Sequence, residues 1–232
     1  MSYEINLDEV DVDGAVREAA DGVSGDTRLG FLKKAGLAGG AVMGGGAVLS
    51  AIAPSAMAAS QKGRPPAKFG KGDIGILNYA LTLEYLEAAF YNGATAANLP
   101  LTPQAKVFLE TVTLDENAHV KFLKGALGKK AAAEPKFNFA GANTSVDAFM
   151  ATAEVLENTG VHAYLGQVLN IKNPEYVVAA GSILTIEARH ASIIGLLNGS
   201  KGMITPNGPR DTPYTAGKVL TAVKGTKFIV GF

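Results

Sequence analysis

From Asp73 onward the apolar positions recur at steps of three or four, the spacing that gathers residues on one face of an α-helix. They fall into four segments. The first, about 73–97, carries Leu77, Ala80, Glu84, Glu87 and Tyr91 in one stripe. The second begins at Thr102-Pro103, a capping residue followed by proline at the first helical position, and runs Ala105, Leu109, Val112, Glu116, His119, Leu123. The third, about 145–170, opens at Thr144 or Ser145 and runs Met150, Glu154, Glu157, Val161, Tyr164, Val168. The fourth starts at Asn173-Pro174 and runs Ala180, Ile183, Glu187, His190, Ile194, Leu197. The pattern predicts an all-α protein, an antiparallel four-helix bundle over 73–200 with a C-terminal extension over 201–232 that contains a short helix.

Within each stripe, acids occupy positions that must face the core. An ionised carboxylate buried without compensation costs on the order of several kcal/mol. Six glutamates on four stripes therefore need a common partner. The stripes contain no Lys or Arg, and Arg189 lies off its helix's stripe. A pair of divalent metal ions would supply the missing positive charge. Two Glu-x-x-His motifs, Glu116/His119 and Glu187/His190, each put a carboxylate and an imidazole on one helix face. One such motif is a weak signal; two, on the second and fourth helices with glutamates on the first and third, make a strong one. An internal repeat supports it: Glu84-Tyr85-Leu86-Glu87 and Glu154-Val155-Leu156-Glu157 share the form Glu-x-Leu-Glu. The expected metal residues are Glu84, Glu87, Glu116, His119, Glu154, Glu157, Glu187 and His190, with Tyr91 and Tyr164 behind them. The repeat favours Glu84 with Glu154 as ligands, whereas the tyrosines seven residues on favour Glu84 with Glu157, so both pairs stay open. His162 lies beside the stripe and reads as a packed or surface histidine.

Composition narrows the function classes. Hydrophobic residues make up 47%, enough for a sizeable core, and the formal net charge is zero. Residues 1–58 are acidic, with eight Asp/Glu to four Lys/Arg, and the rest of the chain holds 13 to 17. That mild and scattered excess argues against nucleic acid as a partner. No cysteine is present, which excludes disulfides, thiolate metal sites and cysteine catalysis. No nucleotide-binding loop or nucleophilic triad appears. Residues 1–58 combine an acidic leader with a basic flank, a Gly/Ala-rich apolar run from Ala35 to Ala53 and an Ala56-x-Ala58 cleavage pattern, the layout of an export signal. Thr27, Arg28, Phe31, Leu32 and Lys33 resemble a twin-arginine signal, with Leu29 where the second arginine belongs. Residues 59–72 read as a linker. The expected location is outside the cytoplasm, in the periplasm, cell envelope or medium, with membrane contact through an uncleaved signal alone.

At these residues the chain resembles the ferritin-like superfamily, and more narrowly its exported, desiccation-associated branch. Leu77-Asn78-Tyr79-Ala80-Leu81-x-Leu83-Glu84-Tyr85-Leu86-Glu87-Ala88-x-Phe90-Tyr91 is similar to that branch's first helix, and Asp115-Glu116-x-x-His119-Val120 to its second. Glu157-x-x-Gly160-Val161-x-Ala163-Tyr164-Leu165-Gly166 is similar to its third, and Asp211-Thr212-Pro213 through Phe228-Ile229 to its C-terminal part. The layout matches ferritin-like dimetal bundles, which use one Glu from each of two helices and a Glu-x-x-His from each of the other two. The resemblance implies two iron or manganese ions, with Glu116 and Glu187 as bridging carboxylates and His119 and His190 as terminal nitrogen ligands. It implies oxygen or peroxide as reaction partners; iron oxidation, peroxide reduction and a catalase-like role fit these ligands equally well. The rival expectation is a non-catalytic stress or desiccation protein with a partial or decayed metal site. For assembly, a homodimer is the candidate; the leader, linker and extension would encumber packing into a 24-subunit shell.

Overall fold

The computed structural model describes residues 63–200 and 204–232, so the leader and export signal lie outside the described residues. Four long helices form the body: α1 (Gly72–Ala97), α2 (Pro103–Leu127), α3 (Val146–Gln167) and α4 (Pro174–Leu197). A short fifth, α5 (Ala216–Thr226), lies in the C-terminal extension, and no strand occurs among the described residues. The starts follow local chemistry. The side chains of Thr102, Ser145, Asn173 and Thr215 accept from backbone N–H groups of Ala105, Ala148, Glu175 and Lys218, which would otherwise lack partners at a helix N-terminus.

α1 packs along α2 and α3 along α4, as the short connections 98–102 and 168–173 require. The two hairpins then meet, α1 against α3 and α2 against α4. Glu84 pairs with Tyr164 and Tyr91 with Glu157, so numbers rise on α1 as they fall on α3 and the two helices run antiparallel. Glu116 with His190 and Glu187 with His119 show the same for α2 and α4. This leaves one long crossover, residues 128–145, running the length of the bundle. At its start the Lys130 carbonyl accepts from Asn78 near the beginning of α1; at its end Asn143 donates to the Phe90 carbonyl further along that helix. A single long crossover is a mark of ferritin-like bundles.

The C-terminal extension is part of the core. Ala216, Val219, Val223 and Ile229 are buried in the same apolar cluster as Tyr79, Phe90, Tyr91 and Phe149. Ile229 also makes an isolated antiparallel bridge to Phe137, joining the extension to the crossover. With crossover and extension packed around it, α1 is buried on nearly all sides from Gly75 to Tyr91.

Candidate metal centre

The core stripe of each helix delivers its acids to mid-bundle. Glu84, Glu116, Glu157 and Glu187 are fully buried, Glu87 is 3% exposed, and His119 and His190 are 8% and 6% exposed. No lysine or arginine is buried with them among the described residues. Ligand-type atoms of Glu84, Glu116, His119 and Glu187 lie within 4.8 Å of one another. So do those of Glu116, Glu157, Glu187 and His190, and the two groups share Glu116 and Glu187.

Hydrogen bonding alone does not account for this geometry. His119 Nδ1 lies 3.2 Å from Glu84 Oε2, 3.3 Å from Glu116 Oε2 and 3.2 Å from Glu187 Oε1. One ring nitrogen carries at most one hydrogen, so it cannot satisfy three carboxylate oxygens. His190 Nδ1 lies 3.2 Å from both Glu116 Oε1 and Glu157 Oε2, yet none of these three atoms has a hydrogen-bond partner. Both oxygens of Glu187 are likewise buried and unpartnered. Unsatisfied buried polar atoms are rare in native proteins, and their convergence here marks a place for positive charge. Ligands about 2.1 Å from a common ion and at right angles to each other sit about 3 Å apart, close to the separations found. The arrangement is compatible with a metal site. Glu116 turns one oxygen to each histidine, the posture of a carboxylate shared between two positions.

The outer groups orient the inner ones. Tyr91 donates its hydroxyl hydrogen to Glu157 Oε1 and Tyr164 donates to Glu84 Oε1, leaving the Oε2 atoms to face the histidines. Each tyrosine thus serves the glutamate of the other hairpin. Burial, reinforced by the negative charge of those glutamates, holds both phenol pKa values well above the ordinary range, so both stay donors. His190 Nε2 lies 3.1 Å from Asp115 Oδ2, which fixes the ring with Nδ1 inward. Gly160 sets the spacing on the α3 side. A Cβ there would come within 3.1 Å of Glu187 Oε2 and 3.4 Å of Glu87 Oε1, so glycine admits both carboxylates.

Without positive charge the cluster is electrostatically frustrated. Burial and repulsion from Glu187 and Glu116 push Glu87 well above the carboxylate range. Burial, then Glu116 and Glu84, do the same to Glu187. Burial and Glu84 push Glu116 to about 7 against the opposing pull of the two neighbouring histidines. Burial opposes ionisation of Glu84 too, but His119, together with hydrogen bonds from Glu116 and Tyr164, holds it below the usual carboxylate range. Burial opposes the charged form of His190, but Glu116 and Glu157 override it and raise its pKa to about 11.

Two of the expected residues stand apart. Glu154 is half-buried on a solvent-facing groove, where its Oε2 accepts from Asn198 Nδ2 at 2.6 Å and Ser200 Oγ at 2.7 Å. Glu87 lies beside the cluster but in neither four-residue group. The reason is helical phase. Residues three apart differ by about 60° around a helix axis. On α1, buried nearly all round, both Glu84 and Glu87 end up inside; on α3 the same rotation takes Glu154 out to the edge. Sequence reasoning assigned no role to Asp115, whose partner sits on another helix, and no local spacing signals such a contact. His162 is packed, its ring stacked on Tyr214 at 4.1 Å and its Nδ1 2.7 Å from the Thr212 carbonyl.

A four-helix body with one long crossover and an interior set of glutamates and histidines defines a ferritin-like protein. Residues 72–200 match the family model described as a ferritin-like domain, and the chain belongs to that family. No curated protein matches the chain.

Proposed function

We propose that the centre binds two transition-metal ions, iron or manganese, and that the protein uses them in oxygen or peroxide chemistry. The observation that carries this reading is Glu116, whose two oxygens face two different inward-pointing histidines, Oε2 toward His119 and Oε1 toward His190. Glu116 and Glu187 would be shared between the ions, with Glu84 and His119 on one side and Glu157 and His190 on the other. Glutamate oxygen and imidazole nitrogen together suit iron and manganese. Such ions, when bound, supply electrons and an open position for a small oxidant. The chain's own contribution is orientation and exclusion of water: tyrosines hold the terminal carboxylates, Asp115 holds His190, and apolar packing surrounds the whole. Glu87, beside the shared carboxylates and not among them, is a reserve ligand or a partner to them.

Export and membership of the desiccation-associated branch are also part of the proposal, and they rest on the residues quoted from the sequence. The test is metal content of the purified protein after expression with iron and manganese available. About two equivalents of one metal, lost together in a Glu116→Ala/Glu187→Ala double variant that keeps its helicity, is the expected result. A folded protein that neither retains metal nor takes up added Fe(II) or Mn(II) would refute the reading, and a non-catalytic stress protein would replace it.

A further inference from the structure

Next to Tyr164 the bundle leaves a cavity of about 20 Å³. Its walls include Ala80 and Leu83 from α1, Leu123 from α2, Ala163 and Tyr164 from α3, and Ala180 from α4. Roughly 10–15 Å³ of such space holds one water-sized molecule, so this one admits a single small guest. Most polar groups nearby are already engaged. Tyr164 donates to Glu84, and the Gln167 amide donates to the Gly63 carbonyl and accepts from Asn170. The Tyr79 hydroxyl is buried without a hydrogen-bond partner, so it could offer a water one contact at most. The surface offered to a guest is therefore almost entirely carbon. A water there would lack the two to four partners it needs, and a space of this kind stays dry and accepts apolar guests.

The cavity also shares a wall with the centre. Tyr164 lines it and hydrogen-bonds Glu84; Leu83, another wall residue, is Glu84's neighbour in the chain. We propose that this cavity is a binding site for dioxygen, a small apolar molecule, held one side chain away from the carboxylates that would hold the metal ions. Hydrogen peroxide, with two O–H donors to satisfy, does not suit carbon walls and would reach the centre elsewhere. The delivery role rests on the dimetal reading; the gas site does not.

The test is xenon, an apolar probe visible by diffraction, introduced under pressure into crystals of the full chain. One xenon atom between Ala80, Leu83 and Tyr164 is expected, and its loss in Ala80→Leu, which fills the space from α1. Should that variant fail to fold, Ala180→Leu fills it from α4. With Fe(II) bound, the filled variant should oxidise several-fold more slowly with dioxygen and at an unchanged rate with hydrogen peroxide, at unchanged iron content. An ordered water on Tyr79 in place of xenon, or no guest at all, overturns the site. Loss of xenon with no change in the dioxygen rate overturns delivery. A protein that binds xenon but no metal refutes the dimetal reading and leaves the gas site standing.

Discussion

At the scale of single residues, function turns on which oxygen faces which nitrogen. Glu157 and Glu154 share a helix and a repeat, but one is buried against His190 and the other is tied to Asn198 and Ser200 at the surface. Glu157→Gln should therefore cost metal, lowering stoichiometry or weakening affinity at least tenfold, while Glu154→Gln should leave both unchanged in titrations followed by elemental analysis. Equal losses from the two would show that Glu154 reaches the centre after all. Protons provide a second check. In the metal-free protein burial and repulsion push Glu116 up to about 7 and hold Glu87 and Glu187 well above the carboxylate range, while Glu116 and Glu157 raise His190 to about 11. Ligands must lose these protons to bind, so uptake releases protons and affinity rises with pH. Each proton released contributes about a tenfold change in affinity per pH unit. Dissociation constants for Mn(II) at several values between pH 6 and 8 should thus fall steeply as pH rises; a flat profile would mean the carboxylates are already ionised.

Among elements, the extension decides more than its position at the chain's end suggests. Its strap crosses α3 so closely that a Cβ on Gly166 would lie 1.8 Å from the Tyr214 carbonyl oxygen. That contact is with backbone, which cannot rotate aside. Gly166→Ala should destabilise the protein by about 1–3 kcal/mol, the usual cost of overpacking, despite alanine's better helix propensity. Gly181→Ala on α4, where nothing lies within 4 Å, should instead stabilise by about 0.5–1 kcal/mol. Thermal melts of the two variants read the difference, and a raised midpoint for Gly166→Ala would show that the strap is not seated on α3. The helices themselves were legible from sequence because caps and proline positions are local signals. The choice between Glu154 and Glu157 is not legible that way, since the width of the buried stripe on α3 depends on what packs beside it.

For the whole molecule, the centre is a charge problem solved by folding and completed by a ligand. Five carboxylates brought into one apolar interior oppose the fold unless cations join them. Metal that binds the folded chain alone stabilises it by mass action, about 2.7 kcal/mol at a hundredfold excess over the dissociation constant. The melting midpoint should accordingly rise with added Mn(II) and fall back with chelator, and Glu116→Ala should abolish the rise while keeping helical content. No shift in the unaltered protein would show that burial of the acids is balanced by protons alone.

Sequence alone determined the helices, their starts, the acids on the apolar stripes and the two Glu-x-x-His motifs, because helical period and capping are set by neighbours within a few residues. Tertiary structure decided which of the paired glutamates meet and how the tyrosines cross between hairpins. It also placed Asp115 behind His190 and left a cavity beside Tyr164. These depend on contacts between residues 66 to 80 positions apart, as for Tyr91 with Glu157 and Tyr164 with Glu84. Such contacts follow from how helices pack against each other, and no periodicity within one helix encodes them.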